Sequence, residues 1–315
     1  MARIICGVDV ASETLDACIG PDGLAGQFAA DPEGIAALAA FCKANKVELV
    51  AMEATGGYEK KPFSLLWAEG LPCAVLNPRQ VRRFAEAMGI LEKTDRIDAG
   101  VIARFAEVRK IRPQAPSRSV QATLAALVTR LRQLTALRTA QTNQRRLVTE
   151  PEALASIDEI VTLITRQIRG FETRIAGLIA ADPLWRPLDA AFRSIKGVAD
   201  RTVAQLMAEM PEIGTLSNKA VAKLAGLAPI ARDSGKSSGR RPVRGGRRSV
   251  RATLFVVAEI VRRFDPDFAE FHRRLNQAGK PKKVVRVALA HKLLTRLNAR
   301  ARDARRDMSK TVQAA

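Results

Sequence analysis

Short apolar runs alternate with helical repeats through the first third of the chain. "RIICGVDVA" (3–11) predicts a strand, and "LDACIG" (15–20) followed by Pro21-Asp22-Gly23 predicts the opening of a hairpin. "PEGIAALAAFCKAN" (32–45) has helical spacing. "VELVAME" (47–53) predicts a buried strand that ends at the turn Ala54-Thr55-Gly56-Gly57. A helix around "PFSLLWAEG", a strand in "LPCAVLNP" and a helix opened by Asp95 follow. Strands alternating with helices predict an α/β domain over 1–115, with a mixed sheet covered on both faces.

The pattern changes at Pro113 and Pro116. Leu124, Leu127, Leu131, Leu134 and Leu137 recur at steps of three and four, a helical seam. After Glu150-Pro151 a second seam runs through Ile157, Ile160, Ile164, Ile168, Phe171, Ile175 and Leu178. Residues 116–185 therefore read as a helical hairpin or coiled coil, or as an arm pairing with another subunit. Either arrangement predicts a buried seam. From 186 to 315 a mainly helical domain is expected. In it, "FRSIKGVADRTVAQLMAEM" (192–210) reads as helix, glycine turn and helix, similar to a helix-hairpin-helix. Lys196 and Gly197 would then approach a phosphate. Ala199 stands where that motif usually has its second glycine, and an ordinary helix-turn-helix packing unit explains the pattern equally well.

Charge adds a partner to this outline. The formal net charge is +20, and from 231 to 315 there are 23 Lys and Arg against 7 Asp and Glu. Such asymmetry marks a polyanion partner, most often nucleic acid. Aromatic residues make up only 4% of the chain, which favours backbone and shape recognition over base-stacking platforms. No apolar run reaches the roughly 18 residues that span a bilayer, and no signal peptide is expected. The four cysteines, Cys6, Cys18, Cys42 and Cys73, lack zinc or redox spacing and read as reduced, buried thiols of a cytoplasmic protein. Arg138, Arg145 and Arg146 on the first long helix are candidate nucleic-acid contacts, although a charged face is usually just solvated. In "GLAPIARDSGKSSGRRPVRGGRRSVRATLFVVAEIV" (226–261), Lys236, Arg240, Arg241, Arg244, Arg247 and Arg248 suit phosphate binding. A flexible linker would look similar, but seldom carries five arginines in nine residues.

Four acids suggest chemistry. Asp95 and Asp98, one helical turn apart, could simply cap a helix. Asp9, however, lies inside an apolar strand, where a carboxylate costs roughly several kcal/mol unless paired or bound to metal. Glu53 ends another apolar strand, and strand ends favour ligand sites in α/β sheets. Carboxylates without His or Cys favour Mg²⁺ or Mn²⁺, and ions on such a cluster suit phosphoryl transfer on nucleic acid.

Asp in a first strand, Glu in a later one and Asp-x-x-Asp opening a helix resemble the DEDD acids of a RuvC-like (RNase H-fold) domain. "GVDVASETLDACI", "MEATGGY", "NPRQVRRFAEAMGILEKTDRIDAGVIARFA" and "LAGLAPIARDSGKSSGRRPVRGGRRSVRATLF" are similar to blocks of the DEDD transposases of bacterial insertion sequences, the IS110 family. The resemblance extends over nearly the whole chain. It implies a transposase or recombinase with Asp9, Glu53, Asp95 and Asp98 as catalytic metal ligands. It also implies a C-terminal transposase domain in which Ser234 attacks the scissile phosphate and forms a covalent link to DNA. A serine hydroxyl needs activation for that, which a metal or base would supply. Ser237 and Ser238 lie close behind, and loop hydrogen bonding is the plain reading of all three. The lone tyrosine, Tyr58, follows the Glu53 turn, and His272 and His291 lack metal-ligand spacing. The resemblance further implies double-stranded donor and target DNA, a structured guide (bridge) RNA, a homodimer that becomes a tetramer on DNA, and action at the nucleoid. Two rivals remain at this level: a RuvC-like nuclease using metal-activated water, and a non-catalytic nucleic-acid-binding protein with structural acids.

Overall fold

The computed structural model describes residues 3–90, 95–116, 118–231, 233–234, 237–238 and 241–313; at 95–97, 233–234, 237–238, 309 and 311–313 it describes the backbone alone. The chain divides into two compact units, 1–117 and 118–315.

The first unit opens with β1 (Ile5–Val10), β2 (Thr14–Ile19) and β3 (Ala25–Ala29), an antiparallel meander. Helix α1 (Pro32–Ala44) follows, started by Asp31, whose side chain accepts from the Gly34 N–H at 2.7 Å. Then come β4 (Leu49–Glu53), α2 (Lys60–Ala68), β5 (Cys73–Leu76), α3 (Pro78–Ala87) and α4 (Asp95–Val108). The sheet order is β3-β2-β1-β4-β5, with β4 parallel to both β1 and β5. This is the mixed, doubly covered sheet expected from the alternation.

Strand alternation divides the core in two. Cys6, Val8 and Val10 of β1 and Val50 and Met52 of β4 face a cluster with Leu38 and Cys42 of α1 and Leu66 of α2. Ile5 of β1 and Leu49 and Ala51 of β4 face the opposite cluster, with Val101, Ile102 and Phe105 of α4. All four cysteines are buried and free, as expected. Burial pushes the Cys73 thiol up to about 12, so it stays protonated and unreactive.

The second unit begins with α5 (Ser119–Arg145) and α6 (Pro151–Ala181), which pack together as a helical hairpin. Next come α7 (Arg186–Arg193), α8 (Asp200–Glu209) and α9 (Asn218–Leu224). The two-residue strands β6 (Asp233–Ser234) and β7 (Ser237–Ser238) pair antiparallel. Helices α10 (Arg248–Phe264), α11 (Pro266–Gln277) and α12 (Lys282–Gln313) complete it. The seam is buried only toward the base of the hairpin: Leu124, Leu131, Leu134, Ile164, Ile168 and Ile175 share one core with α7–α12. Toward the tip the seam is not buried within the chain itself. Leu137 and Ile160 are exposed, and Leu147 beyond them is 87% exposed. The shared core covers only the base of the two helices. Among the described residues, no helix is long and apolar enough to cross a membrane.

Candidate active site

Asp9 and Glu53 reach the same side of the sheet. On β1, Ile5 faces the α4 cluster, and the alternation puts Gly7 and Asp9 on that face too. On β4, Leu49 and Ala51 take that face, so Glu53 does as well. The parallel register runs through Gly7 with Ala51 and Val8 with Met52, which makes Asp9 and Glu53 the next step, at the carboxyl ends of neighbouring strands. Both are half-buried.

Helix α4 covers this face closely. A Cβ on Gly7 would run into the Ala99 carbonyl oxygen and the Ala103 nitrogen, so only glycine lets the helix lie this near β1. Asp98 adjoins Ala99 in that contact and is half-buried. Asp95 is the first residue of α4, and its side chain lies outside the described residues. Among the described residues, no three His, Cys, Asp or Glu side chains form a group that could hold a metal ion. Asp9, Glu53 and Asp98 each have an interaction within the protein.

Two further acids flank this face. Asp16 of β2 pairs directly with Asp9 of β1 and accepts from Gln27 Nε2 at 3.0 Å. Its phase in the strand matches that of Asp9, so period-two counting through "TLDACI" would have found it. Glu59 is buried, and its Oε2 accepts from the backbone N–H of Thr55 at 3.0 Å and of Gly57 at 2.9 Å. It ties down the turn after Glu53, where Gly56 and Gly57 have φ of 65° and 113°. Nothing in the sequence pattern marks that role. Tyr58, at the same turn, is 58% exposed.

In the second unit, Ser234 lies in β6, opposite Ser237 of β7, with Asp233 opposite Ser238. Its side chain, with those of Ser237 and Ser238, lies outside the described residues, as do Lys236 and Arg240 altogether. The loop carrying Ser234 is no free linker. Its stems meet at a bridge between Pro229 and Val243, and the Ile230 N–H donates to the Pro242 carbonyl at 3.1 Å. Below that, the Arg247 N–H donates to the Leu224 carbonyl at 2.8 Å, and Arg251 Nη1 donates to the Gly245 carbonyl at 2.5 Å.

The basic candidates divide by what already holds them. Arg247 forms a two-pronged pair with Glu212, and Arg145 pairs with Asp158 across the hairpin at 2.5 and 2.9 Å. Arg244, Arg248 and Arg146 are exposed, and Arg138 is half-buried on α5. Arg241 is exposed and has an interaction within the protein. Lys196 is exposed at the turn between α7 and α8. Gly197, with φ 98°, sits against the backbone of Val261 in α10, where a Cβ would approach to 3.1 Å. That packing accounts for the glycine without a phosphate.

Comparison with known proteins finds relatives among transposases. A family model described as Transposase, for the DEDD domain of IS110 elements, matches residues 6–148; a second, described as the transposase IS116/IS110/IS902 family, matches residues 189–273. Pilin gene-inverting proteins of Moraxella lacunata and Moraxella bovis are each 27% identical over 314 residues, covering 94% of this chain and 94% of theirs. The insertion element IS110 uncharacterized 43.6 kDa protein of Streptomyces coelicolor is 30% identical over 150 residues, 47% of this chain and 36% of that one. Among solved structures, Thermus thermophilus RuvC aligns at 16% identity and a TM-score of 0.26, covering 36% of this chain and all of its own.

Proposed function

We propose that this chain, which belongs to the IS116/IS110/IS902 transposase family, cuts and rejoins DNA through a covalent serine intermediate at a site holding Mg²⁺ or Mn²⁺. The observation that supports the reading is the convergence of Asp9 and Glu53, at the ends of adjacent parallel strands, on the sheet face that α4 covers.

Asp9, Glu53, Asp95 and Asp98 would hold the ion. Their all-oxygen donor set suits a hard divalent cation, whose charge would offset the repulsion among the carboxylates. A bound ion there supplies Lewis-acid polarisation of a phosphoryl oxygen. Ser234 does the bond-making: its Oγ bonds to phosphorus as one phosphorus–oxygen bond to deoxyribose breaks. The hydroxyl proton passes to a base, and the departing sugar oxygen takes up a proton. Attack by another strand's hydroxyl reverses these changes and frees the serine. The number of phosphodiester bonds is unchanged, so rejoining needs no outside energy source.

Lys236, Arg240, Arg241, Arg244 and Arg248 provide cations for phosphates near Ser234. The partners proposed are double-stranded donor and target DNA and a structured guide RNA, with the protein acting as a homodimer that becomes a tetramer on DNA. Relatives named for inverting a pilin gene favour strand exchange over plain hydrolysis, since inversion requires rejoining.

The test is a search for the intermediate. Full-length protein is incubated with its co-purified RNA, labelled DNA and Mg²⁺, and run on a denaturing gel. A protein–DNA adduct lost in Ser234→Ala and in Asp98→Asn is expected. Cleaved DNA without an adduct would replace the serine with metal-activated water.

A further inference from the structure

A cleft of about 660 Å³ lies within the second unit, lined in part by residues on either side of the segment that carries Ser234. One wall is made of the stems of that loop, Pro229 and Pro242, which the bridge between Pro229 and Val243 holds together. Val284 and Val287 of α12 and Phe271 of α11 line the cleft as well. The lining is thus apolar and joined directly to the segment proposed to carry the nucleophile.

Charge joins this apolar lining. Arg241, Arg274, Lys283 and Lys292 also line the cleft, and among the described residues none of the lining side chains is Asp or Glu. Arg274 and Lys292 lie over the Phe271 ring at 5.4 and 4.8 Å from its centroid, so cations already accompany the aromatic surface, one of them planar. His291 stands in the wall, where burial holds its imidazole below the ordinary value, so at neutral pH it offers one donor and one acceptor.

Apolar side chains, an aromatic ring with a planar cation over it, a hydrogen-bonding imidazole and several cations are complementary to a single nucleotide, the base meeting the first three and the phosphate the last. The volume falls in the range of about 300–1,000 Å³ that houses a small organic ligand, and it cannot take a duplex. Position agrees with this. Ser234 follows Pro229 by five residues, at most about 18 Å of extended chain. A strand advances about 3.4 Å per nucleotide, so a base in the cleft would lie within a few nucleotides of a phosphate at Ser234.

We infer that this cleft is the seat of an unpaired base, from the DNA strand undergoing reaction or from an RNA strand bound beside it. The inference rests on the proposed reading of the chain as a nucleic-acid recombinase, and it adds a subsite to that reading. Flipping a base out costs pairing and stacking, which the cleft restores in part through Phe271, Arg274 and the apolar walls.

The test is equilibrium binding of full-length protein, in chelator so that no cleavage occurs, to three labelled probes. One is a fully paired duplex, one has a single-nucleotide bulge, and one has the same bulge without its base. Each is made in DNA and in RNA. The base-containing bulge is expected to bind at least about fivefold tighter than the abasic one, the range seen for a stacked base. Val284→Trp, at a residue 51% exposed on the cleft wall, is expected to erase that ratio while leaving paired-duplex affinity within about twofold. Lys283→Glu, at an exposed position, is expected to weaken the bulged probe more than the paired one, independently of the Trp variant's folding. A preference seen only with DNA, or only with RNA, assigns the strand. Equal binding of basic and abasic bulges alongside firm duplex binding overturns the cleft assignment alone, as does a preference that survives Val284→Trp. Failure to bind any probe overturns the recombinase reading as well.

Discussion

Arg247 holds Glu212 with both ends of its guanidinium, Nη1 and Nη2 each donating at 2.6 Å to one carboxylate oxygen. The pair joins the start of α10 to the connection between α8 and α9, and so anchors the downstream end of the loop that carries Ser234. Burial disfavours the Glu212 charge, yet Arg247 and a backbone N–H hold its carboxyl below the ordinary range. A carboxyl depressed by folding contributes stability above its unfolded value and loses it as pH falls through the folded one. Arg247→Ala is therefore expected to cost about 1 kcal/mol at neutral pH, a small figure because about a third of each partner stays exposed. The difference in Tm between variant and parent should shrink as pH falls below 4.5, the ordinary value for this carboxyl. A difference that persists unchanged at acid pH would mean the pair is not what is lost.

Gly246 has φ 64°, and a Cβ there would meet the Gly226 nitrogen and come within 2.6 Å of the Leu224 carbonyl oxygen. Gly245 has a similar φ of 72° with open space around it. Gly245→Ala is thus expected to cost about 1 kcal/mol, the left-handed penalty alone. Gly246→Ala carries the same penalty plus a backbone clash, and should cost roughly 2–3 kcal/mol or more. Thermal unfolding of the two variants separates conformation from contact.

Asp9→Asn, Glu53→Gln and Asp98→Asn are each expected to reduce DNA cleavage by at least about a hundredfold. Affinity for duplex DNA in chelator should change little, because the binding charge lies in the second unit. Cleavage assays and fluorescence anisotropy on the same preparations check both halves. A variant that stops binding DNA while keeping its cleavage rate per bound complex would return these acids to a structural role.

Mixing Asp9→Asn with Ser234→Ala protein shows how the units cooperate. If the carboxylates of one subunit serve the serine of another, the mixture regains adduct formation that neither variant shows alone. If each chain uses its own pair, the mixture stays as inactive as its parts.

Glu59→Ala removes the acceptor of two backbone N–H groups at the turn after Glu53. Hydrogen bonds to a charged acceptor contribute about 1.5–3 kcal/mol each when a buried partner is left unsatisfied. Activity is expected to fall by roughly tenfold or more through misplacement of Glu53, and the metal concentration needed for half-maximal activity should rise, so that added Mn²⁺ restores part of the loss. Glu59→Gln keeps one acceptor oxygen and should recover part of the loss, which a purely charge-based role would not allow.

Local pattern determined the elements and much of the site. Alternation in "CGVDVA" and "LVAME" gives the inward and outward faces of β1 and β4, because side chains change sides at every residue. That rule alone sets Asp9 and Glu53 against the apolar runs around them. Steps of three and four marked α5 and α6 for the same reason. The glycines and arginines of 235–248 marked a special loop and its charge, but not its shape. Leu137 and Ile160 show the limit of pattern: they continue a seam, yet the core of the second unit ends before reaching them.

What tertiary structure alone decided depends on contacts between residues far apart in the chain. Gly7 admits α4 onto β1 across roughly ninety residues, bringing the backbone of Ala99 and Ala103 against the strand, and no local signal marks that close approach. Glu212 claims Arg247 from the row of arginines that charge alone assigned to nucleic acid. The cleft draws its lining from Pro229, Pro242, Phe271 and Val284, residues that local pattern could not bring together, and the Pro229–Val243 bridge holds two of them side by side. Periodicity reports which side of an element is buried; which partner covers that side is decided by packing, and packing needs the whole chain.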